Sequence, residues 1–463
     1  MKRPTREALE QLSKEELIDL FLAMFEANEA EIAKLAAEIE RVKTSPPTTS
    51  QNSSQPPSRD NKGNRPDKQP GKKRGAKKGH EMMRRELVDK PDRVIEGQMG
   101  RCSCGTDMSG VTPDKVIRRQ VTELPEIKPL VIETRQPVAT CPCCGEMVYG
   151  VLPEELDSER NFGPRLEAIL TYLQHQQHMS YERLQNTMKE LFGVTISQGG
   201  IACVSERAGE AAAKQTEAIQ QAVQAGPVIR SDETSARVDG RNWWEWVFVG
   251  RDAVLHVIRA SRGVDVINEI MGNSRVAAWM SDCWAPQLRA PAEKRQLCLA
   301  HQIRNLQGLI DRAPRLRWAR EMQAKLREAI HLAKRRDEMS ARGFKRRVTQ
   351  IERELMRLID RPVLNPLAQA LVKRYRKHRD HLLVFLRDPR VPYHNNDSER
   401  ALRGSVIHRK VIGGFRSAWG AHAYAAIASV VDTAKLRGRR VFDALLGLFG
   451  PPVLPFAIAE TRE

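Results

Sequence analysis

Hydrophobic and polar positions along the chain change period several times, and each change marks an element. Ile18, Phe21, Phe25, Asn28, Ile32, Leu35, Ile39 and Val42 fall on alternating three- and four-residue steps, which puts them on one seam of a helix with charge on its other faces. Ser13 and Glu16 read as a capping box, the hydroxyl meeting an early backbone N–H and the glutamate reaching back to the cap. The spacing predicts a coiled-coil helix over residues 1–43 that pairs protomers; an amphipathic helix packed on its own domain would show the same pattern. Residues 44–90 then carry almost no apolar positions and read as a linker that is disordered when alone.

The stretch VIRRQVTELPEIKPLVIETRQPVAT alternates and reads as two strands within a small domain, 91–155. Residues 156–225 return to helical spacing in three runs, with Ser180 and Ser197 placed to cap helices and Phe192-Gly193-Val194-Thr195 as a short connection. That is a helix-turn-helix pattern, although a three-helix packing unit without groove contact looks the same. From Gly226 the period becomes that of strands: PVIRSDET, WWEWVFVG and AVLHVIRA, a helix near VDVINEIMG, then VAAWMSD. Three strands, a helix and a strand predict a multidomain α/β chain whose catalytic-type domain, 226–440, is built on a mixed sheet. A helical insertion follows at about 303–390, with Leu306, Leu309, Leu326 and Ile330 on one face. Residues 441–463 read as a tail. Alternate members of Trp243, Trp244 and Trp246 belong to the core.

Composition sharpens the class. The 463 residues suit two to four domains, and 41% hydrophobic with 29% charged residues exclude a wholly disordered chain. The 76 Lys and Arg exceed the 58 Asp and Glu by 18, which points to a polyanion, nucleic acid first of all. Between Lys62 and Lys78 eight basic residues, including Lys72, Lys73 and Arg74, face one acid, Asp67, so this arm can neutralise phosphates without reading sequence. No apolar stretch follows the basic start and no uninterrupted apolar run of about 18 residues occurs, so neither a secretory signal nor a membrane span is expected. A bacterial cytoplasmic, nucleoid-associated protein is the expectation.

Five of the eight cysteines lie between Cys102 and Cys144, a clustering that suits metal better than disulfides. Two Cys-Gly knuckles joined by a β-hairpin describe a zinc ribbon, with Cys102, Cys104, Cys141 and Cys144 as ligands and Cys143 as a substitute. The first knuckle is C-x-C, one residue short of the usual spacing.

Asp232 and Asp282 are each expected at the end of an apolar strand, where a carboxylate is costly unless bonded or bound to a cation. Glu399 falls in the first turns of a helix that Asn395 or Asn396 can cap. Three carboxylates brought together could hold two Mg²⁺ or Mn²⁺ ions for phosphoryl transfer. Glu233, Asp239, Glu245 and Asp397 compete for the role, and Arg403 offers Glu399 an ordinary salt bridge. Arg400, Arg403, Arg409 and Lys410 follow closely enough to hold DNA phosphates. His301 is a candidate to orient substrate or an acid.

In this order the parts resemble the insertion sequence 66 family of bacterial transposases: the N-terminal helix, NSSQPPSRD, KKRGAKKGH, the paired knuckles, Asp232-Glu-Thr, Ser281-Asp282, Cys298-Leu-Ala-His301 and Asn395-Asn-Asp-Ser-Glu399-Arg400-Ala-Leu-Arg403. The resemblance covers almost the whole chain, most specifically in NNDSERALRGSVIHRKVIGGFRSAWGAHAYAAIASVVDTAKLRG. It implies an RNase H-like domain with a DDE triad at Asp232, Asp282 and Glu399, cleavage at mobile-element ends, strand transfer, and accessory proteins of the same element. Cys283, after Asp282, departs from the small residue expected there. A catalytically inactive or domesticated DNA-binding protein and a structure-selective nuclease on the same fold are the alternatives.

Overall fold

A computed structural model describes residues 13–44, 49, 52–53, 85–152 and 160–450. Lys72, Lys73, Arg74, the rest of that basic arm and residues 451–463 lie outside the described residues. The chain divides into two compact units, one of Asp67–Asp157 with Tyr181–Gln198, the other of Met1–Pro66, Ser158–Ser180 and Gly199–Glu463.

Helix α1 (Lys14–Thr44) begins where the capping box places it: the Ser13 N–H donates to Glu16 Oε2 at 2.8 Å and the Glu16 N–H to Ser13 Oγ at 3.3 Å. Its seam residues Phe21 and Ile32 are 67% and 66% exposed, so at these positions the apolar face is uncovered among the described residues.

In the smaller unit the strands follow the expectation only in part. Among its described residues, β1 (Val138–Thr140), the last three residues of the alternating stretch, pairs antiparallel with β2 (Met147–Tyr149) around the second knuckle. The alternating residues before them adopt no strand, because Val121 and Val131 are almost wholly exposed and have no apolar surface to pack on. Helix α3 (Tyr181–Phe192) ends at Gly193, whose φ of 63° lets the Val194 N–H turn back to the Met188 carbonyl at 3.1 Å.

The larger unit holds α2 (Pro164–His175) and α4 (Gln198–Gln224), followed by a five-stranded mixed sheet. Strands β3 (Val228–Val238), β4 (Arg241–Val249) and β5 (Val254–Arg259) run antiparallel to one another, and β6 (Val276–Ser281) and β7 (Ala292–Leu297) join β3 in parallel. The order is β5-β4-β3-β6-β7. The β3–β4 turn is Asp239-Gly240, with φ of 47° and 69°, the backbone that a two-residue hairpin with right-handed twist requires. Helix α5 (Val264–Met271) crosses from β5 to β6, burying Val266, Ile267 and Ile270.

After β7 come five helices, α6 (Leu299–Arg312), α7 (Arg317–Lys334), α8 (Ala341–Asp360), α9 (Gln369–Lys377) and α10 (Val384–Arg387). They share one core through Leu306, Leu309, Leu326, Ile351 and Leu355, with Ile330 packed partly buried against it, so the helical periodicity marked a true interior face. Several of the insertion's cations are spent internally: Lys325 reaches Glu328 and Glu354 at 2.6 and 2.5 Å, and Arg361 reaches Glu321 at 2.5 Å.

Helices α11 (Asn396–Ile412), α12 (Ala418–Leu436) and α13 (Val441–Leu446) close the fold. The segment read as a tail therefore opens with a helix; Leu445 is buried, and Phe442 meets Tyr172 of α2 edge to face at 6.4 Å. Helix α12 seals the outer strand. The N–H groups of Val254 and His256 would lack partners at the sheet edge, but they donate to Thr433 Oγ1 at 3.0 Å and Ser429 Oγ at 2.8 Å, one helical turn apart. Helix α4 approaches α12 at Gly209, where a Cβ would stand 2.4 Å from that of Ala423, so only glycine allows the crossing.

Candidate active site

Sheet register brings the acids together. Val228 pairs with Ala278 and Arg230 with Met280, and continuing by two residues sets Asp232 level with Asp282. On the far side Ser281 pairs with Leu297, so one further step sets Asp282 level with Cys298. Neighbours in register share a face of the sheet, and all three residues therefore emerge on one side. Asp282 follows the end of β6 as expected, whereas Asp232 lies within β3. That strand runs on to Val238 paired with β4, its pairing with β6 ending at Arg230 and its far end bridged to Phe415, so the sheet opens on the β6 side just where Asp232 stands.

Glu399 reaches this face from the first turn of α11, and the residues around it fix that helix end. Asn395 Nδ2 donates to the Ser231 carbonyl at 2.8 Å, the Ser398 hydroxyl donates to Asn395 Oδ1 at 3.0 Å, and the Asn395 N–H donates to Cys298 Sγ at 3.3 Å. The Leu299 N–H donates to the Tyr393 carbonyl at 2.9 Å. Asp397 pairs with Arg230, two residues before Asp232 on the same face. Each bond ties the start of α11 to the strand ends, so Glu399 is positioned by the segment that contains it.

The electrostatics are those of crowded carboxylates. Burial pushes Asp232 well above the ordinary range, and Glu233, Asp282 and Glu399 push it further. Burial also raises Asp282, against the Trp284 N–H and the charges of Arg262 and Arg374. Glu399 Oε1 is buried without a hydrogen bond; its neighbours are Arg304 at 3.5 Å and His301 Nε2 at 3.8 Å. Burial and Arg304 pull His301 down to about 4, so it is neutral at pH 7. A carboxylate raised by its neighbours and a buried carboxylate oxygen without a donor both fit a divalent cation, which would neutralise the first and ligate the second.

The competing acids have other work. Glu233 points to the opposite face, where it accepts from Arg262 at 2.8 Å and Gln287 at 2.9 Å. Arg262 is itself held between two indoles, 4.3 Å from the Trp244 ring and 4.0 Å from that of Trp284, and the Trp284 N–H donates to Asp282 Oδ1 at 2.8 Å. Asp239 sits in the β3–β4 turn. Glu245 is fully buried with His256 Nδ1 at 3.1 Å and Ser405 Oγ at 2.5 Å. His256 Nε2 meets Asp432 at 3.1 Å. Burial alone would lower His256, but the hydrogen bonds it donates to Asp432 and Glu245 outweigh it and raise it to about 9.

Among the basic residues, Arg400, Arg403 and Lys410 are exposed on α11. Arg409 is turned inward: it donates to the Ser235 carbonyl and to Thr234 Oγ1 at 3.3 Å, and lies 3.8 Å from Glu245. Its charge serves the buried network. Cys298, Arg262 and Arg304 were missed by sequence reasoning. The strand-to-helix signal CLAH could have found Cys298, since a residue ending one strand beside two others belongs to the same row.

The cysteine knuckles each form on their own. The Thr106 hydroxyl and backbone, with Cys102, hold Cys104 down to about 7, and backbone N–H groups of Cys144 and Cys143 lower Cys141. Among the described residues, the one group of three or more with ligand atoms within 4.8 Å of one another is Cys298, His301 and Glu399. The knuckle thiols stand as separate pairs.

The larger unit is thus an α/β body in which a mixed sheet sets Asp232 level with Asp282 at its opening and a helix brings Glu399 to the same face. The chain belongs to the IS66 family of transposases, whose sequence model, Transposase IS66 family, matches residues 160–423. That span contains the sheet, the insertion and every residue of the acidic site. An uncharacterized protein of Sinorhizobium fredii, y4jO, is 36% identical over 90 residues, which is 19% of this chain; the match spans 28% of that relative's length. No helix among the described residues is long and apolar enough to cross a membrane.

Proposed function

We propose that the protein is a DDE transposase on an RNase H-like sheet, which cleaves DNA at mobile-element ends and joins the freed 3′-hydroxyl to target DNA. The observation that carries this reading is the register that sets Asp232 level with Asp282 while α11 delivers Glu399 to them. The strand order, antiparallel on one side of β3 and parallel on the other, supports the RNase H-like assignment.

Asp232, Asp282 and Glu399 would hold two Mg²⁺ or Mn²⁺ ions, which activate the attacking oxygen and stabilise the leaving one in an in-line displacement. In the first step water adds to phosphorus, the P–O3′ bond breaks, and a 3′-hydroxyl and a 5′-phosphate result. In the second that hydroxyl attacks a target phosphodiester, its proton leaves and the target's own 3′-oxygen departs, so bonds to phosphorus are conserved. Asn395 and Asp397 hold the glutamate in place, and Arg400, Arg403 and Lys410 offer charge to the flanking phosphates. Arg409 is not part of this reading, because its guanidinium is committed to Glu245 and Ser235.

Residues 44–90, with Lys72, Lys73 and Arg74, would add salt-dependent DNA affinity. Residues 156–225 would read the element ends. Zinc on Cys102, Cys104, Cys141 and Cys144 would require the two knuckles to close on each other; the lowered thiols support it. Pairing of protomers through α1 is supported by its exposed seam.

The decisive experiment incubates a labelled element end with a second duplex and Mg²⁺. Cleaved and joined products from the native chain, and neither from Glu399→Gln with DNA binding retained, are expected. Cutting without joining would make the protein a nuclease, binding alone would make it an inactive DNA-binding protein, and undiminished products from Glu399→Gln would remove the triad.

A further inference from the structure

The acidic site has a second chemistry on its β7 side. We propose that Cys298, His301 and Glu399 form a binding site for a borderline divalent metal, Zn²⁺ or Co²⁺, sharing only Glu399 with the carboxylate pair. Their ligand atoms lie within 4.8 Å of one another. Each comes from the end of a regular element: Cys298 closes β7 and caps α6, His301 stands in the first turn of α6, and Glu399 in the first turn of α11.

Three observations point to a ligand and not to ordinary packing. Cys298 is fully buried, and Asn395 donates its backbone N–H to the sulfur, which anchors Sγ toward α11. Glu399 Oε1 and His301 Nδ1 are both buried without a hydrogen-bond partner. A buried carboxylate oxygen left unmet is costly, so Glu399 Oε1, with His301 Nε2 3.8 Å away, is tolerated most easily where something else binds it. Sulfur, imidazole and carboxylate together select zinc-like metals, whereas Mg²⁺ demands oxygen. Three protein ligands leave a fourth position for water or a phosphate oxygen.

Arg304, 3.5 Å from Glu399 Oε1 and held by its Nε on the Ala300 carbonyl at 3.4 Å, is the cation that the metal would displace, and its side chain is 25% exposed. Binding releases the thiol proton to solvent as the metal–sulfur bond forms, with no change of oxidation state. The ligand set stands on its own geometry. Its consequence rests on the transposase reading: a metal held here takes Glu399 away from Asp232 and Asp282, so Zn²⁺ opposes the Mg²⁺-dependent reaction.

The test titrates the full chain with Co²⁺ and follows thiolate-to-cobalt charge-transfer absorption, comparing the native protein with Cys298→Ser, His301→Gln and Asp232→Asn. The knuckle cysteines contribute the same background to all four. One fewer equivalent of thiolate-bound cobalt is expected in Cys298→Ser and weakened binding at that equivalent in His301→Gln, with Asp232→Asn unchanged. Superimposable titrations for native chain and Cys298→Ser would overturn the site. Should Cys298→Ser melt early by circular dichroism, His301→Gln decides, and native-like cobalt binding in it overturns the proposal. In the cleavage assay, the Zn²⁺ that half-inhibits should rise at least about tenfold in Cys298→Ser, since loss even of an outer-shell partner costs 10–100-fold in metal affinity. Unchanged inhibition would refute the consequence. A native chain that binds cobalt at Cys298 yet never cleaves would sink the proposed function and leave the metal site standing.

Discussion

The buried pair of acids around His256 makes a prediction with a worked magnitude. Glu245 on β4 and Asp432 on α12 bond the two ring nitrogens, and Glu245 also accepts from Ser405 of α11. The imidazolium thus joins the sheet to both helices on the face that also carries Asp232. Its pKa rises from 6.5 to about 9 in the folded chain, and at 1.36 kcal/mol per unit the difference is worth about 3 kcal/mol. Because the folded value is the higher one, this stability is fully present below pH 6.5 and is lost as pH climbs toward 9. At the acid end Asp432 is held below its usual value, chiefly by the His256 hydrogen bond acting against burial, so its share is lost as pH falls below about 4. His256→Gln should therefore melt lower by roughly 4 °C at pH 6, at about 1.3 °C per kcal/mol for a unit of about 350 residues. The gap should narrow steadily up to pH 9. Scanning calorimetry of both proteins from pH 5.5 to 9.5 provides the comparison; a gap that stays constant across that range would show that the histidine is not charged in the fold.

Further outcomes follow from other contacts. Asn395→Ala removes the bond to the Ser231 carbonyl and the acceptor of Ser398, and should cost about 1–3 kcal/mol in chemical denaturation while lowering the cleavage rate with little change in DNA affinity. Asp232→Asn removes a carboxyl whose charge is opposed by burial and by three neighbouring acids, so without metal it should melt above the native chain at pH 8, and the difference should vanish below pH 4. The same variant should lose the Mg²⁺-induced rise in melting temperature, which at a hundredfold excess over Kd corresponds to about 2.7 kcal/mol. Phe21→Glu places charge on the exposed seam of α1 and should shift the chain to a smaller species in sedimentation; an unchanged mass would remove α1 as the pairing element.

Much of the sheet was legible because buried strands carry runs of Val, Ile and Trp with few other uses, and the carboxylates at or near their ends are too costly to stand there by chance. The α1 cap was legible because Ser13 and Glu16 satisfy each other locally. Of the alternating stretch before the second knuckle only its last three residues form a strand, because alternation alone does not suffice; it needs a surface to pack on, and Val121 and Val131 have none. Arg409 read as a DNA contact because its neighbours in sequence are exposed cations, yet helical rotation carries it to Glu245. Cys298 escaped notice for a similar reason: its partners are set by the register of β6 and β7, which no spacing along the chain reveals.

The hydroxyls of Ser429 and Thr433 on the rim of β5 have an architectural effect. With those two amides already satisfied, that border offers no template on which a neighbouring copy could continue the hydrogen-bonded ribbon. Under the proposed reading, in which two protomers would hold separate DNA termini, their sheets would not fuse along this border, and each body would keep freedom to approach its own substrate.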